Sequence, residues 1–231
     1  VVLWSMHNEP PWTPDGSFLG GDVHRAEVNR PMDEASAARA RELDSTRPVI
    51  AASGEYDQHL YHGWYTGSWP DNRNLRPAFP TEFGVQALPN LDSPFWATAN
   101  TNWPVDSDDP SWAHAGYQSV FWASPGVGAP SQFGTLADYV AASQAYQAFF
   151  TRYVIDQWRR KKFDPVGGYI HFLFTDGWPA ITWAVLDYYR LPKAGYQALA
   201  ESSRPVHLSL DVEPGFTVEG GFHLVYSVGA T

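Results

Sequence analysis

The 231-residue chain contains no cysteine. That excludes disulfides and thiolate metal sites and leaves the compartment open. Lysine is scarce, with only Lys161, Lys162 and Lys193 in the whole chain. Lys and Arg together number 15 against 25 Asp and Glu, for a formal net charge of −10. Such a surface repels a phosphate backbone, so no nucleic-acid partner is expected. No apolar run approaches the roughly 18 residues of a spanning helix, so no membrane partner is expected. A His-Glu-x-x-His motif and a Gly-rich phosphate fingerprint are also missing. The expectation is therefore no metal and no other cofactor.

What the chain does have is apolar and aromatic. Hydrophobic residues make up 44%, and there are 11 Trp, 12 Tyr and 13 Phe. This composition builds a core and excludes disorder. The length suits one large domain or pieces of two. Val1 opens directly in an apparent strand, with no basic or apolar leader before it. The runs Leu208–Val212 and Phe222–Val228 look like two strands of a β domain. We expect a piece of a longer protein, cut at both ends, with localisation and oligomeric state unknown.

Strand and helix signals alternate. Val1–Trp4 is a short apolar run of the kind buried on both faces of a parallel sheet. A loop rich in Gly and Pro follows to about Asp22. Arg30–Asp44 predicts a helix with Pro31 in its first turn. Arg47–Ser53, Gln58–Tyr61, Ala78–Thr81 and Tyr169–Phe174 are further strand candidates. Residues from Leu136 to Lys162 carry apolar side chains at i, i+3, i+4 and i+7, a long amphipathic helix. A short helix is expected over Pro192–Glu201. From Val85 to Gly134 no period is visible, and loops of that length are often functional. Strands alternating with helices predict a parallel α/β architecture.

Two glutamates stand where strands should end. Val1–Trp4 leads to Glu9, and Ala78–Thr81 leads to Glu82. Two carboxylates at one end of a parallel sheet are what acid-catalysed glycoside cleavage requires. Isolated surface acids are the commoner case, since Glu is mostly solvated.

Four motifs in order then carry a resemblance. Trp4-Ser5-Met6-His7-Asn8-Glu9-Pro10 resembles the strand-4 acid/base segment of glycoside hydrolase family 2. Tyr61-His62-Gly63-Trp64-Tyr65 looks like that family's strand-6 motif. Thr81-Glu82-Phe83-Gly84-Val85-Gln86 resembles its strand-7 nucleophile segment. Gly177-Trp178-Pro179-Ala180-Ile181-Thr182-Trp183, with Asp187-Tyr188-Tyr189 and Pro192–Tyr196, is similar to the stretch after strand 8 in β-mannosidase-like members. The resemblance implies strands 4 to 8 of a (β/α)8 TIM barrel over residues 1–203. Residues 204–231 would then open a trailing, truncated β-sandwich domain. Five strands do not close such a barrel, so three β/α units would lie outside this chain.

The implied activity is a retaining exo-β-glycosidase acting on a β-linked oligosaccharide or glycoside. Glu82 would be the nucleophile. Glu9 would be the general acid and then the general base, and must hold a proton for the first step. Asn8 would bond the sugar 2-hydroxyl. Tyr61 and Tyr65 would hold the nucleophile or the sugar, and His62 is a similar candidate. His62 with His59 could also suggest a metal, but two His without a third ligand are usually polar packing. Trp178 would supply an apolar platform for a sugar face, with Asp176 beside it on a hydroxyl or capping the turn. His7 and Trp64 complete the candidate set. The alternatives are a carbohydrate-binding barrel without chemistry, which would not need both glutamates, and a fragment inactive alone.

The sugar is less legible. Asn8-Glu9-Pro10 and Tyr61–Tyr65 look like the glucuronidase branch, and the other two motifs like the mannosidase and glucosaminidase branch. Glucuronidases in the family typically read the sugar carboxylate through an Asn-x-Lys motif, and none of the three lysines follows such an Asn. A neutral or amino β-sugar is therefore expected, in the manner of β-mannosidases, β-glucosaminidases or β-galactosidases. The metal ions of the galactosidase members are not carried over.

Overall fold

The computed structural model describes residues 2–9, 26–54, 58–122, 127–214 and 224–230. The expected loop to Asp22, together with Pro10, Phe222 and His223, lies outside the described residues. In chain order the regular elements are β1 (Trp4–Ser5), α1 (Ala26–Leu43), β2 (Val49–Ile50), α2 (Pro110–His114) and α3 (Ser119–Trp122). They are followed by α4 (Leu136–Arg159), α5 (Ala194–Ser202), β3 (Leu208–Pro214) and β4 (Leu224–Ala230).

β1 and β2 pair in parallel, Trp4 with Val49 and Ser5 with Ile50. The pairing continues through an isolated bridge between Asn8 and Ser53. A second set of extended segments runs alongside. His59 bridges Glu82 in parallel, and Leu60 N–H donates to the Glu82 carbonyl at 2.9 Å. On the far side, Gly167, Ile170 and Phe172 donate to the carbonyls of Ala78, Pro80 and Phe83. The expected strands at 58–61, 78–81 and 169–174 are thus extended neighbours joined by spaced bonds rather than by a regular ladder. Pro77 and Pro80 supply one reason, since neither has an N–H to donate.

The expectation that Val1–Trp4 is buried on both faces does not hold. Val2 and Trp4 are exposed, and among the described residues β1 pairs only with β2. Ile170 and Phe174, on the last extended segment, are exposed as well. The first helix also differs, starting at Ala26 and carrying Pro31 in its interior. The missing proline N–H removes one intrahelical bond there, which eighteen residues of helix tolerate.

α4 is the structural keel. Thr135 caps it by accepting from Asp138 N–H, and Asp138 and Arg159 complement the helix dipole at its two ends. Its buried face runs through Tyr139, Val140, Ser143, Tyr146, Gln147, Phe150, Val154, Ile155 and Trp158. The stretch from Val85 to Gly134, aperiodic in sequence, is no loose lid. It folds into α2, α3 and three-residue-per-turn helices at Pro94–Ala97 and Pro130–Gln132. Phe95, Trp112 and Trp122 anchor it in the core. Aromatic burial holds this segment where backbone periodicity does not. β3 and β4 form an antiparallel pair, Leu208 opposite Ala230 and Pro214 opposite Leu224.

Candidate active site

The Thr81–Gln86 segment shows why each residue type is needed. Phe83 is fully buried against Trp158, with ring centroids 4.8 Å apart, and against Tyr169 and His171. That apolar enclosure pushes the His171 imidazole down to about 4, so the ring is neutral. Gly84 faces the Phe172 carbonyl so closely that a Cβ would lie 2.2 Å from its oxygen. Only glycine permits this approach. The Val85 carbonyl accepts from Gln147 of α4 at 3.1 Å. Gln86 is wholly buried and fully engaged. Its Nε2 donates to the Gly116 and Ile181 carbonyls, and its Oε1 accepts from Trp122 Nε1 at 2.8 Å and Gln118 N–H at 3.2 Å. Glu82 is thereby fixed at the end of a rigid segment.

Glu9 reaches the same place by a different route. Its N–H donates to the Ser53 carbonyl at 2.8 Å, and its backbone adopts φ +47. Gly54, at φ +102, sits so close that a Cβ would lie 2.9 Å from Glu9 Cγ and 3.1 Å from His59 Nδ1. The positive φ at both residues folds the end of the first segment back over the second.

The two carboxylates meet across His59. Its Nδ1 lies 2.7 Å from Glu9 Oε1 and 3.4 Å from Glu82 Oε2. Tyr61 donates its hydroxyl to the same Glu82 Oε2 at 2.7 Å. One oxygen of Glu9, one of Glu82 and a ring nitrogen of His59 all lie within 4.8 Å of one another. These are also three potential metal donors, and of the three pairs only His59 and Glu9 form a hydrogen bond, at 2.7 Å. Burial raises the affinity of Glu82 for a proton, and the Tyr61 hydroxyl and His59 oppose that rise. The Tyr61 phenol is pushed far above its ordinary range by its burial and by the neighbouring Glu82.

The other expected residues divide. Tyr65 stacks edge-on to Tyr61 at 5.1 Å, and burial raises its phenol above the ordinary range. Asn8 is tied to Ser53, whose hydroxyl donates to Asn8 Oδ1 at 3.2 Å. His7 is held by the buried Asp33 of α1 through Nδ1 at 2.8 Å. Trp64 belongs to the core, buried edge-on to Trp122 at 5.7 Å. His62 packs in the turn beside Gly67 and bridges Thr66. Trp178 is exposed and meets His114, not the carboxylate pair. Asp176 is buried in a separate charge cluster. It accepts from the Thr182 hydroxyl and lies 3.9 Å from Lys193 Nζ, within attraction but beyond a hydrogen bond. Burial lowers the Lys193 ammonium to about 8 and raises Asp176.

Two neighbours of the pair carried no assigned role in the sequence reading. His59 is one. Trp183 is the other, with its ring 6.5 Å from Tyr61, 5.9 Å from Tyr65 and 5.6 Å from Phe172. Its indole N–H is buried without a partner among the described residues. The alternation His59-Leu60-Tyr61 was the available signal for the first, since residues two apart share a face. A cavity of about 210 Å³ lies elsewhere, between Trp158, Arg159, Lys162 and Pro205, and none of the expected site residues lines it.

No protein-family model matches the chain. β-Mannosidase B of Aspergillus niger is 26% identical over 160 residues, 65% of this chain and 18% of that protein. β-Mannosidase B of Aspergillus flavus is 34% identical over 73 residues, 31% of this chain and 9% of that protein. Among solved structures, the β-D-mannosidase from Dictyoglomus thermophilum superposes with a TM-score of 0.68 at 20% identity. It covers 93% of this chain and 28% of its own. The chain resembles glycoside hydrolase family 2 in both sequence and fold. The exo-chitosanase CsxA of Amycolatopsis orientalis, at 14% identity, covers 100% of this chain and 31% of its own with a TM-score of 0.52. The chain therefore spans a minor part of each relative it matches.

Proposed function

We propose that the chain is the later part of the catalytic domain of a retaining exo-β-glycosidase, with a β-mannoside as the first substrate to try. The observation that carries this reading is the approach of Glu9 and Glu82, whose nearest relevant oxygens lie within 4.8 Å. Retaining glycosidases hold their carboxyl groups about 5–5.5 Å apart, and inverting ones about 6.5–9.5 Å. The relatives, β-mannosidases in sequence and a β-D-mannosidase and an exo-chitosanase in fold, support β-mannose ahead of glucosamine. The exposed faces at Val2, Trp4, Ile170 and Phe174 support a barrel that is open here at both edges, residues 1–203 supplying strands 4 to 8. Residues 204–231 would begin the trailing sandwich, of which β3 and β4 are the first pair.

In the first step Glu82 attacks the anomeric carbon. The bond to the leaving oxygen breaks as that oxygen takes the proton of Glu9. In the second step water attacks the same carbon and gives a proton to Glu9, and the ester to Glu82 breaks. Among the described residues the Tyr61 hydroxyl bond to the Glu82 side chain and the approach of His59 both fall on Oε2. Oε1 is therefore the attacking atom. Tyr61, Tyr65 and Trp183 form the aromatic wall beside it, and Asn8 would meet the 2-hydroxyl. Trp64, Trp178 and Asp176 take no part in this reading.

The test is a panel of nitrophenyl β-glycosides on the full-length protein and on Glu82→Ala. Turnover of one β-sugar should fall by about 10⁴-fold or more in the variant. Undiminished turnover would remove Glu82 as the nucleophile, and sugar binding without turnover in the wild type would favour a binding barrel.

A further inference from the structure

We propose that His59 is a positioning residue that passes one N–H bond between the two carboxylates as the reaction proceeds. The inference rests on the Glu9–Glu82 reading and extends it to a residue to which that reading gives no role.

The side chain of His59 is almost fully enclosed. Its Nε2 is buried with no hydrogen-bond partner among the described residues. A buried N–H without an acceptor is rarer and costlier than a bare lone pair. The ring proton therefore belongs on Nδ1, which has two acceptors in reach, Glu9 Oε1 at 2.7 Å and Glu82 Oε2 at 3.4 Å. One N–H cannot serve both fully, so it follows the negative charge.

The two carboxylates are not equally supplied. Glu82 keeps the Tyr61 hydroxyl on Oε2 whatever His59 does. Glu9 has His59 as its only side-chain donor among the described residues. Tyr65 is a further titratable group at the pair among the described residues, and the charges of both carboxylates help to keep its phenol protonated. Before sugar attack Glu9 carries its own proton, and the His59 N–H turns to anionic Glu82. Once Glu82 is an ester, the charge sits on Glu9, and the N–H returns to it as a charge-assisted bond. With both carboxyl groups free, the shorter contact of Nδ1 is the one to Glu9, at 2.7 Å, and Glu82 stays within reach at 3.4 Å. Loss of His59 should therefore fall mainly on the second step, where Glu9 acts as base.

The experiment follows both steps in the full-length protein with a dinitrophenyl β-glycoside, whose departure needs little acid assistance. In His59→Leu the burst of dinitrophenolate should keep close to its wild-type rate. Steady-state turnover should fall by about 10–100-fold, part of the general-base contribution. Azide, which attacks without a base, should restore turnover and yield a glycosyl azide. His59→Asn, whose amide N–H can stand near the place of Nδ1, should recover most of the loss. A burst and a steady state that fall together, with no azide response and no recovery in Asn, would overturn the proposal and leave His59 as packing. Glu9→Gln is the separate control: if azide does not rescue it, the assignment of Glu9 fails, and this inference with it.

Discussion

The two halves of the candidate site are built to different standards. Around Glu82, each following residue is committed: Phe83 to an aromatic nest, Gly84 to a backbone approach, Val85 to α4, and Gln86 to four hydrogen bonds. Around Glu9, the supporting segment pairs on one side only and leaves Val2 and Trp4 in solvent. Glu9 itself depends on the Ser53 carbonyl, Gly54 and His59. The lesson is that a carboxylate pair can be set by one rigid member and one that is adjusted against it. Mutations on the Glu82 side should therefore register as lost stability, and those on the Glu9 side as lost activity.

The largest stability effect should come from Gln86→Leu. Four backbone and indole groups would lose their partner at once, two of them, the Ile181 carbonyl and the Trp122 indole N–H, in buried bonds, and each unpaired buried group costs about 1–3 kcal/mol. A fall of about 3–5 kcal/mol in the unfolding free energy of the full-length protein, measured in denaturant, is expected. A loss below about 1 kcal/mol would mean that the segment is not rigid in the way described.

Lys193→Met probes the charge cluster behind the same segment. The Lys193 ammonium donates to the Ala87 carbonyl at 2.9 Å and lies near buried Asp176. Removing it leaves that carboxylate unpaired in the interior, for a loss of about 3 kcal/mol or more. The double variant with Asp176→Asn should be more stable than the single one, because the orphaned charge is gone. If the double variant is the less stable of the two, Lys193 and Asp176 are not coupled.

Gly54→Ala should act in the opposite way. Its Cβ would press on Glu9 Cγ at 2.9 Å and on His59 Nδ1 at 3.1 Å, from a backbone φ of +102. Stability should drop by about 1–2 kcal/mol, the scale of a strained left-handed residue. Activity on the preferred glycoside should fall by about 10–100-fold, since small misplacements at a reacting centre are amplified. An active variant with ordinary kinetics would show that Glu9 does not need this close support.

The smallest effect is a gain. Glu82 binds its proton more tightly than an ordinary glutamate because it is buried. The ionised form is then penalised in the folded state, and the wild type loses stability as pH rises through the Glu82 range. Glu82→Gln stays neutral at every pH. Its Tm should exceed that of the wild type at neutral pH. The difference should vanish in acid, where Glu82 is protonated in both states. A difference independent of pH would point to packing rather than charge.

Much of this architecture was legible along the chain. α4 declared itself through a 3.6-residue apolar period, and a short helix was expected over 192–201, where α5 lies. Glu9 and Glu82 stood out because strand-like runs led into each. The helical turns described between Val85 and Gly134 were not legible, since Trp112, Trp122 and Phe95 anchor them in a core built from residues far away in sequence. Trp178 was singled out because adjacency to a strand end is visible in sequence, whereas the direction of a side chain, which brings Trp183 to Tyr61 and Tyr65, is not.

The sequence alone determined the three longer helices, α1, α4 and α5, the order of the extended segments and the two glutamates, because periodicity and residue chemistry are local properties. Only the tertiary structure decided which aromatic stands beside the pair, that Asp176 belongs with Lys193, and that His59 lies between the carboxylates. Those outcomes depend on angles and approaches between segments dozens of residues apart. A one-dimensional pattern does not carry them, and backbone features such as Glu9 at φ +47 become visible only once the chain has closed on itself.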